Sequence, residues 1–310
     1  MTKKVKGIII TTVILALGLV VAVTAYTGYQ VTEGVYHLVS REETVNYYKD
    51  HYQADFEAFK ASHPPQALSL PSSQFDHRIP LLYYDLPEDK GLVVMAPGLG
   101  AVKEETFAEA AIFMDLGYDF MVLDMRNAGE NMAELNTFGY LESRDLLDVL
   151  AYSRTRNDKK TVLYGQSMGG LAAALAAGQE PGNIDYLILD CPVGNAYEMI
   201  EPQFDKIARE EKIPKDFLLF AGNLVSKLRY GFDFHDFNGP ARLADTKLPV
   251  LILNAKADQV TPYQMGEDYF KALQTDQKEW VAFEGAGHTE LYKEDPALYK
   301  QTIEKFLGDA

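Results

Sequence analysis

The stretch at residues 165–169 reads GQSMG, a serine between two glycines. A short apolar run, 161–164, precedes it, and an alanine-rich segment from 170 follows. Ser167 has two readings. It can be a helix cap among permissive glycines. It can also be a nucleophile on a sharp strand-to-helix turn, where larger flanking side chains would collide with the backbone beside it. A serine hydroxyl is a weak nucleophile, so the second reading needs a base, and the base needs an orienting acid.

Of the six histidines, His235 and His288 follow Ser167. His235 lies in GFDFHDFN, with no strand-like run before it, and suits packing or capping. His288 lies in FEGAGHTE, directly after the apolar run 280–283, where a glycine-rich loop can carry an imidazole over a sheet edge. The preceding apolar run, 250–254, leads into AKADQVTP, and Asp258 is the one carboxylate between Asp245 and Glu267. It can be a turn-forming aspartate before a proline or the acid behind His288. Asp190, at the end of another run, is the reserve acid; Glu284 and Glu290 stand too near His288 along the chain. A tetrahedral intermediate also needs backbone N–H donors. Met168, after the serine, is one candidate, and Leu99 in the loop PGLGAVKEE is the other, since Gly98 and Gly100 allow close backbone approach. That loop half-matches a dinucleotide G-x-G-x-x-G, but Lys103 stands where the third glycine belongs, and a P-loop ending is absent.

These residues must be held by a frame. After Pro71, apolar runs of strand length (79–84, 92–96, 120–124, 161–164, 186–190, 250–254 and 280–283) alternate with helical patterns near 104–116, 142–154, 170–179, 263–273 and 298–307. Continuous apolar strands separated by helices predict a parallel sheet covered on both faces. Between residues 192 and 246 no strand signal occurs, and two helical patterns, 196–211 and 214–229, predict a lid inserted at the ligand end of the sheet. Its Phe217, Leu218, Leu219, Phe220 and Leu224 could line an acyl pocket or pack the lid.

The sequence before residue 71 has another character. Lys3, Lys4 and Lys6 precede the apolar stretch 7–26, long enough to span a bilayer. The charges predict an N-terminus inside and the rest exported. Val23-Thr24-Ala25 offers the alternative of a cleaved signal, although the apolar core is long for one. The expected organisation is a cytoplasmic tail (1–6), a transmembrane anchor (7–26), a spacer with an amphipathic helix that Pro64-Pro65 stops (27–70), and the main domain (71–310). The 310 residues carry a net charge of −16, which argues against nucleic acid as partner. The single cysteine, Cys191, cannot form an internal disulfide and reads as a buried structural thiol; no Cys–His metal spacing occurs.

The stretches APGLG, DMRNAG, GQSMGG, LILNAKADQVTP and GAGH, in this order, resemble the α/β-hydrolase superfamily over residues 75–310. They are most similar to bacterial membrane-anchored or secreted serine hydrolases, esterase-like or akin to serine aminopeptidases. The resemblance implies an α/β-hydrolase fold with Ser167 as nucleophile, Asp258 as acid, His288 as base and the Leu99 and Met168 amides as oxyanion donors. It calls for no cofactor or metal. It casts Asp124, Arg126 and Gly129 as a structural turn. Pro97-Gly98 replaces the family's usual His-Gly, which affects loop rigidity more than the backbone donor. The expected chemistry is cleavage of a carboxylic ester of short or medium acyl length. The alternatives are an exported peptidase or amidase of the same fold, and a non-catalytic surface binding module.

Overall fold

The computed structural model describes residues 2–308; Met1 of the expected tail and the last two residues of the expected domain lie outside it. All the expected strands form. They are β2 (Arg78–Tyr84), β3 (Gly91–Ala96), β4 (Asp119–Leu123), β5 (Lys160–Gln166), β6 (Tyr186–Asp190), β7 (Val250–Ala255) and β8 (Lys278–Phe283). A further strand, β1 (Gln66–Pro71), precedes them. The sheet order is β1-β2-β4-β3-β5-β6-β7-β8. β1 and β2 are antiparallel to their neighbours, and every pairing from β4 to β8 is parallel. Strands β3, β4 and β7 are buried along their whole length, as parallel strands covered on both faces must be.

The helices that belong with this sheet are α2 (Arg41–His51), α3 (Gln53–Ser62), α4 (Phe107–Asp115), α5 (Tyr140–Arg156), α6 (Met168–Gln179), α9 (Gly239–Leu243), α10 (Tyr263–Ala272), α11 (Leu291–Glu294) and α12 (Pro296–Phe306). Residues 41–62 thus form two helices rather than one, divided at Tyr52, and they pack on the main domain. Ser40 caps α2 reciprocally with Glu43, and Phe56 is buried in a core cluster that includes Tyr84 and Phe120. Thr44 Oγ1 accepts the Gly129 N–H at 3.1 Å, and Asn127 Nδ2 donates to the Val39 carbonyl at 2.9 Å. These bonds hold residues 39–44 to the turn after β4.

The remaining chain forms a second compact unit, made of residues up to Tyr36 together with Tyr197–Asp236. It contains α1 (Lys3–Tyr36), most of α7 (Ala196–Glu211) and α8 (Lys215–Tyr230). The expected spacer from 27 is therefore helical as far as Tyr36. The insertion expected at 192–246 narrows to 197–236, because Asn195 bridges Asn238 and the Gly239 N–H reaches the Gly194 carbonyl at 2.9 Å, keeping both flanks with the sheet. Inside this unit Tyr36 meets Tyr230 and Phe232, with ring centres 5.5 and 5.6 Å apart, and its hydroxyl lies 2.7 Å from Ser226 Oγ. His235 stacks on Tyr197, in keeping with a packing role. The apolar part of α1 is long and apolar enough to cross a membrane, with a mean hydropathy of 2.7 in its richest window. Its side chains stand exposed (Leu15 68%, Leu19 65%) until Thr24.

Candidate active site

Strand register determines which loops meet. Ala96 pairs with Gly165, so the loop after β3 lies beside the turn after β5. This is the point where the chain, having placed β4 on one side of β3, continues on the other with β5, the usual ligand end of such a sheet. Ala255 pairs with Phe283, so the loops after β7 and β8 are also neighbours.

Ser167 sits between β5 and α6 at φ 55° and ψ −119°, a conformation that side-chain-bearing residues seldom adopt. Three backbone bonds hold it there. Its N–H donates to the Asp190 carbonyl at 2.9 Å, and its own carbonyl accepts from Gly170 and Val193 N–H, each at 3.0 Å. The flanking glycines are steric necessities. A Cβ on Gly165 would strike the Gly169 carbonyl, and one on Gly169 would strike the carbonyl oxygens of Ala96 and Pro97. Although Ser167 occupies the cap position of α6, its side chain makes no capping bond. Its Oγ instead lies 2.9 Å from His288 Nε2.

His288 Nδ1 lies 2.7 Å from Asp258 Oδ2. The Asp258 side chain is fully buried, whereas the imidazole is 20% exposed. Thr261 supports the pair: its hydroxyl donates to Asp258 Oδ2 at 2.8 Å and lies 3.2 Å from His288 Nδ1. Asp258 Oδ1 accepts N–H bonds from Val260 at 2.7 Å and Thr261 at 2.9 Å. Burial alone would raise the Asp258 pKa. The bonds from His288, Thr261 and the Val260 N–H outweigh it and hold the carboxyl below its ordinary value. An ionised carboxylate on Nδ1 keeps the Nδ1–H tautomer and leaves Nε2 as the acceptor for a serine proton.

The loop after β3 runs against the serine: a Cβ placed on Gly98 would lie 3.9 Å from Ser167 Oγ. Leu99 follows. Met168 opens α6, so its N–H is among the first four of the helix, which have no acceptor within it. Leu99, Gly100 and Ala101 also line a cleft of about 450 Å³, together with Val39, Tyr47, Glu43 and Glu105.

Lys103, the residue that spoils the dinucleotide pattern, is buried and bound to Asp124 at 2.8 Å and to Glu130 at 2.9 Å. Asp124 also accepts N–H bonds from Lys103 and Glu130, and a Cβ on Gly129 would strike its carboxylate. Asp124 and Gly129 thus meet in this turn, whereas Arg126 reaches away from it, to Asp145 at 3.2 Å and the Leu135 carbonyl at 3.3 Å.

Asp190 does not reach His288. Its Oδ2 accepts the hydroxyls of Tyr164 at 2.9 Å and Tyr299 at 2.8 Å. Burial raises its pKa despite the bonds from the two tyrosines. Glu109, also buried and pushed up to about 7 by burial, accepts from Gln166 Nε2 at 3.1 Å, one residue before the serine. Sequence reasoning missed this cluster. Its members are far apart along the chain, and no local pattern marks them.

The structure also brings Cys191 to Asp258 and His288, with donor atoms within 4.8 Å of one another. These donors do not suit a resident cation. Asp258 and His288 Nδ1 are bound to each other, and burial pushes the Cys191 thiol well up, away from the thiolate that a metal requires.

Residues 91–227 match the family described as "alpha/beta hydrolase fold", and residues 236–310 match "TAP-like protein". The chain is 25% identical over 201 residues to the uncharacterized protein YqkD of Bacillus subtilis, covering 64% of this chain and 65% of that one. It is 26% identical over 84 residues to the probable aminopeptidase YbaC of the same organism, covering 27% of this chain and 26% of that one. The chain thus spans less than two thirds of either relative. The solved structure of an esterase from Pyrococcus furiosus superposes with a TM-score of 0.62 at 17% identity, over 82% of this chain and 94% of its own. Mouse alpha/beta hydrolase domain-containing protein 10 does so at 0.58 and 17% identity, over 78% of this chain and 98% of its own. At these identities the likeness is one of fold.

Proposed function

The chain belongs to the α/β-hydrolase superfamily, and from that membership we propose a serine hydrolase that cleaves carboxylic esters through an acyl-enzyme on Ser167. The observation that carries the reading is the hydrogen-bonded line from Ser167 Oγ through the imidazole of His288 to Asp258, 2.9 and 2.7 Å.

In the proposed sequence, Ser167 Oγ attacks the ester carbonyl carbon while His288 Nε2 takes its proton. Asp258 stabilises the imidazolium and keeps its orientation. The carbonyl oxygen becomes an oxyanion facing the Leu99 and Met168 N–H groups. When the tetrahedral intermediate collapses, the C–O bond to the alcohol breaks, and the imidazolium returns its proton to that oxygen. Water then attacks the acyl-serine, again losing a proton to Nε2, and the acid leaves as Ser167 recovers its hydrogen. The cleft beside Leu99 has room for a short or medium chain.

The apolar part of α1 supports anchoring in a membrane, with the hydrolase outside by the charge rule. A mature N-terminus near Tyr26 in protein from its native cell would contradict the anchor.

A panel of p-nitrophenyl esters of increasing acyl length, set against aminoacyl anilides, tests the activity. Faster ester turnover, with the acyl mass found on the Ser167 peptide, is the expected result. Ester turnover that survives Ser167→Ala overturns the mechanism. Preference for anilides would favour amide cleavage, the activity in the name of the partly matching YbaC.

A further inference from the structure

Helix α8 carries an apolar stripe that its own unit leaves bare. Phe220 is 59% exposed, Leu224 39% and Leu228 79%. At about 100° per residue, these three positions lie within an arc of about 80° on one side of the helix. Scattered surface leucines are ordinary, but a continuous exposed stripe marks a contact surface.

The contacts between α1 and α8 indicate what this stripe meets. The Tyr36 hydroxyl reaches Ser226. A Cβ on Gly222 would press on Val31, and one on Gly28 would strike the Ala221 carbonyl and the Val225 side chain. Followed from Tyr36 back toward the apolar span, the contacts wind around α8. With Phe220 at zero, they pass from Ser226 at about 240° through Gly222 at about 200° to Val225 and Ala221 at about 140° and 100°. The next surface in that direction is the Leu228–Leu224–Phe220 stripe. It therefore faces along α1 toward the exposed apolar part of that helix.

The spacing is short. Gly28 stands two residues beyond Tyr26, the end of the apolar stretch, a rise of about 3 Å. A helix with its side chains is about 10–12 Å across, so α8 cannot touch α1 there without its lower side entering the layer where the span ends. Tyr26 (66% exposed) and Tyr29 (46%) stand at the same level, where aromatic side chains favour the membrane–water boundary.

We infer that α8 is a membrane-interface helix, lying in the headgroup layer with Phe220, Leu224 and Leu228 directed into the lipid. This rests on the reading of α1 as a membrane anchor. The hydrolase would then hold its bilayer by two elements of one unit, a helix that spans it and a helix that lies on it.

Full-length protein in vesicles of phosphatidylcholine and phosphatidylglycerol tests this. An environment-sensitive fluorophore is placed on single cysteines introduced as Leu224→Cys, Leu228→Cys, Lys227→Cys and Ile14→Cys; native Cys191 is buried and resists labelling. With a nitroxide near the headgroup end of the acyl chains, emission from positions 224 and 228 is expected to be blue-shifted and roughly halved, with position 227, at about 340° on the edge of the stripe, quenched less. Position 14 should be quenched most by a nitroxide near the chain terminus. Water-like, unquenched emission at 224 and 228 while position 14 is quenched overturns the interfacial helix alone. A blue shift without lipid quenching overturns it in favour of a second copy covering the stripe. An unquenched position 14 overturns the anchor, and the inference with it.

Discussion

Two buried aspartates stand at the same end of neighbouring strands, Asp190 at the end of β6 and Asp258 just beyond β7, and their surroundings drive them in opposite directions. Asp258 is ringed by N–H and O–H donors and by an imidazole, and its pKa is held down. Asp190 receives two tyrosine hydroxyls in a deeper site, and its pKa is driven up. Burial alone therefore does not suit a carboxylate to serve a histidine. What suits Asp258 is the number of donors that reward its charge and a free direction toward Nδ1. Asp190 joins core elements: Tyr164 lies in β5, Tyr299 in α12, and their hydroxyls are 3.0 Å apart.

The contrast breaks if the two sites respond alike to substitution. Replacing His288 by alanine removes the group that Asp258 serves, and should lower kcat by roughly 10⁴-fold or more while the protein stays folded. Asp258→Asn should cost roughly 10²–10⁴-fold in kcat, because the amide no longer enforces the Nδ1–H tautomer. Thr261→Val removes one donor to Asp258 and one contact with His288, and a loss of about tenfold, mainly in kcat, is expected. Steady-state kinetics on one activated ester reads all three.

Asp190→Asn should leave the rate within about threefold but alter stability, and the signs separate the two aspartates. The raised pKa of Asp190 means that the folded chain holds this proton more tightly than the unfolded chain does. Its contribution to stability therefore falls as pH rises from the ordinary 3.8 through the folded value. The asparagine variant should flatten that fall. Asp258 has a lowered pKa, so the unfolded chain holds the proton more tightly. Its stabilisation is present above 3.8 and is lost as pH falls through the folded value. Urea melts of both variants against pH should thus depart from wild type in opposite senses. Tyr299→Phe deletes one donor to Asp190 and should cost about 1–3 kcal/mol, with labelling of the serine unchanged.

Much of the frame was legible. The strands of the parallel sheet are continuous apolar runs, and the glycines around Ser167 announce a turn that only small residues permit. The meeting of Asp258 and His288 beside Ser167 was legible because each follows its own strand, in an order that brings their loops to one end of the sheet. Three features were not. β1 (QALSLP) carries little apolar signal, lies between prolines, and forms by antiparallel pairing with β2. The helix through 27–36 contains Gly28 and Gly34, poor helix formers; packing of Gly28, Val31 and Tyr36 on α8 outweighs that preference. The Asp190 cluster joins residues 26 and 109 positions apart, which only the fold brings together.

The most direct measurement is labelling with a fluorophosphonate, which forms a stable bond only with an activated serine. Wild type should label, Ser167→Ala should not, and Asp190→Asn should label at the wild-type rate. Wild type that fails to label, or Ser167→Ala that labels as well as wild type, would contradict the account.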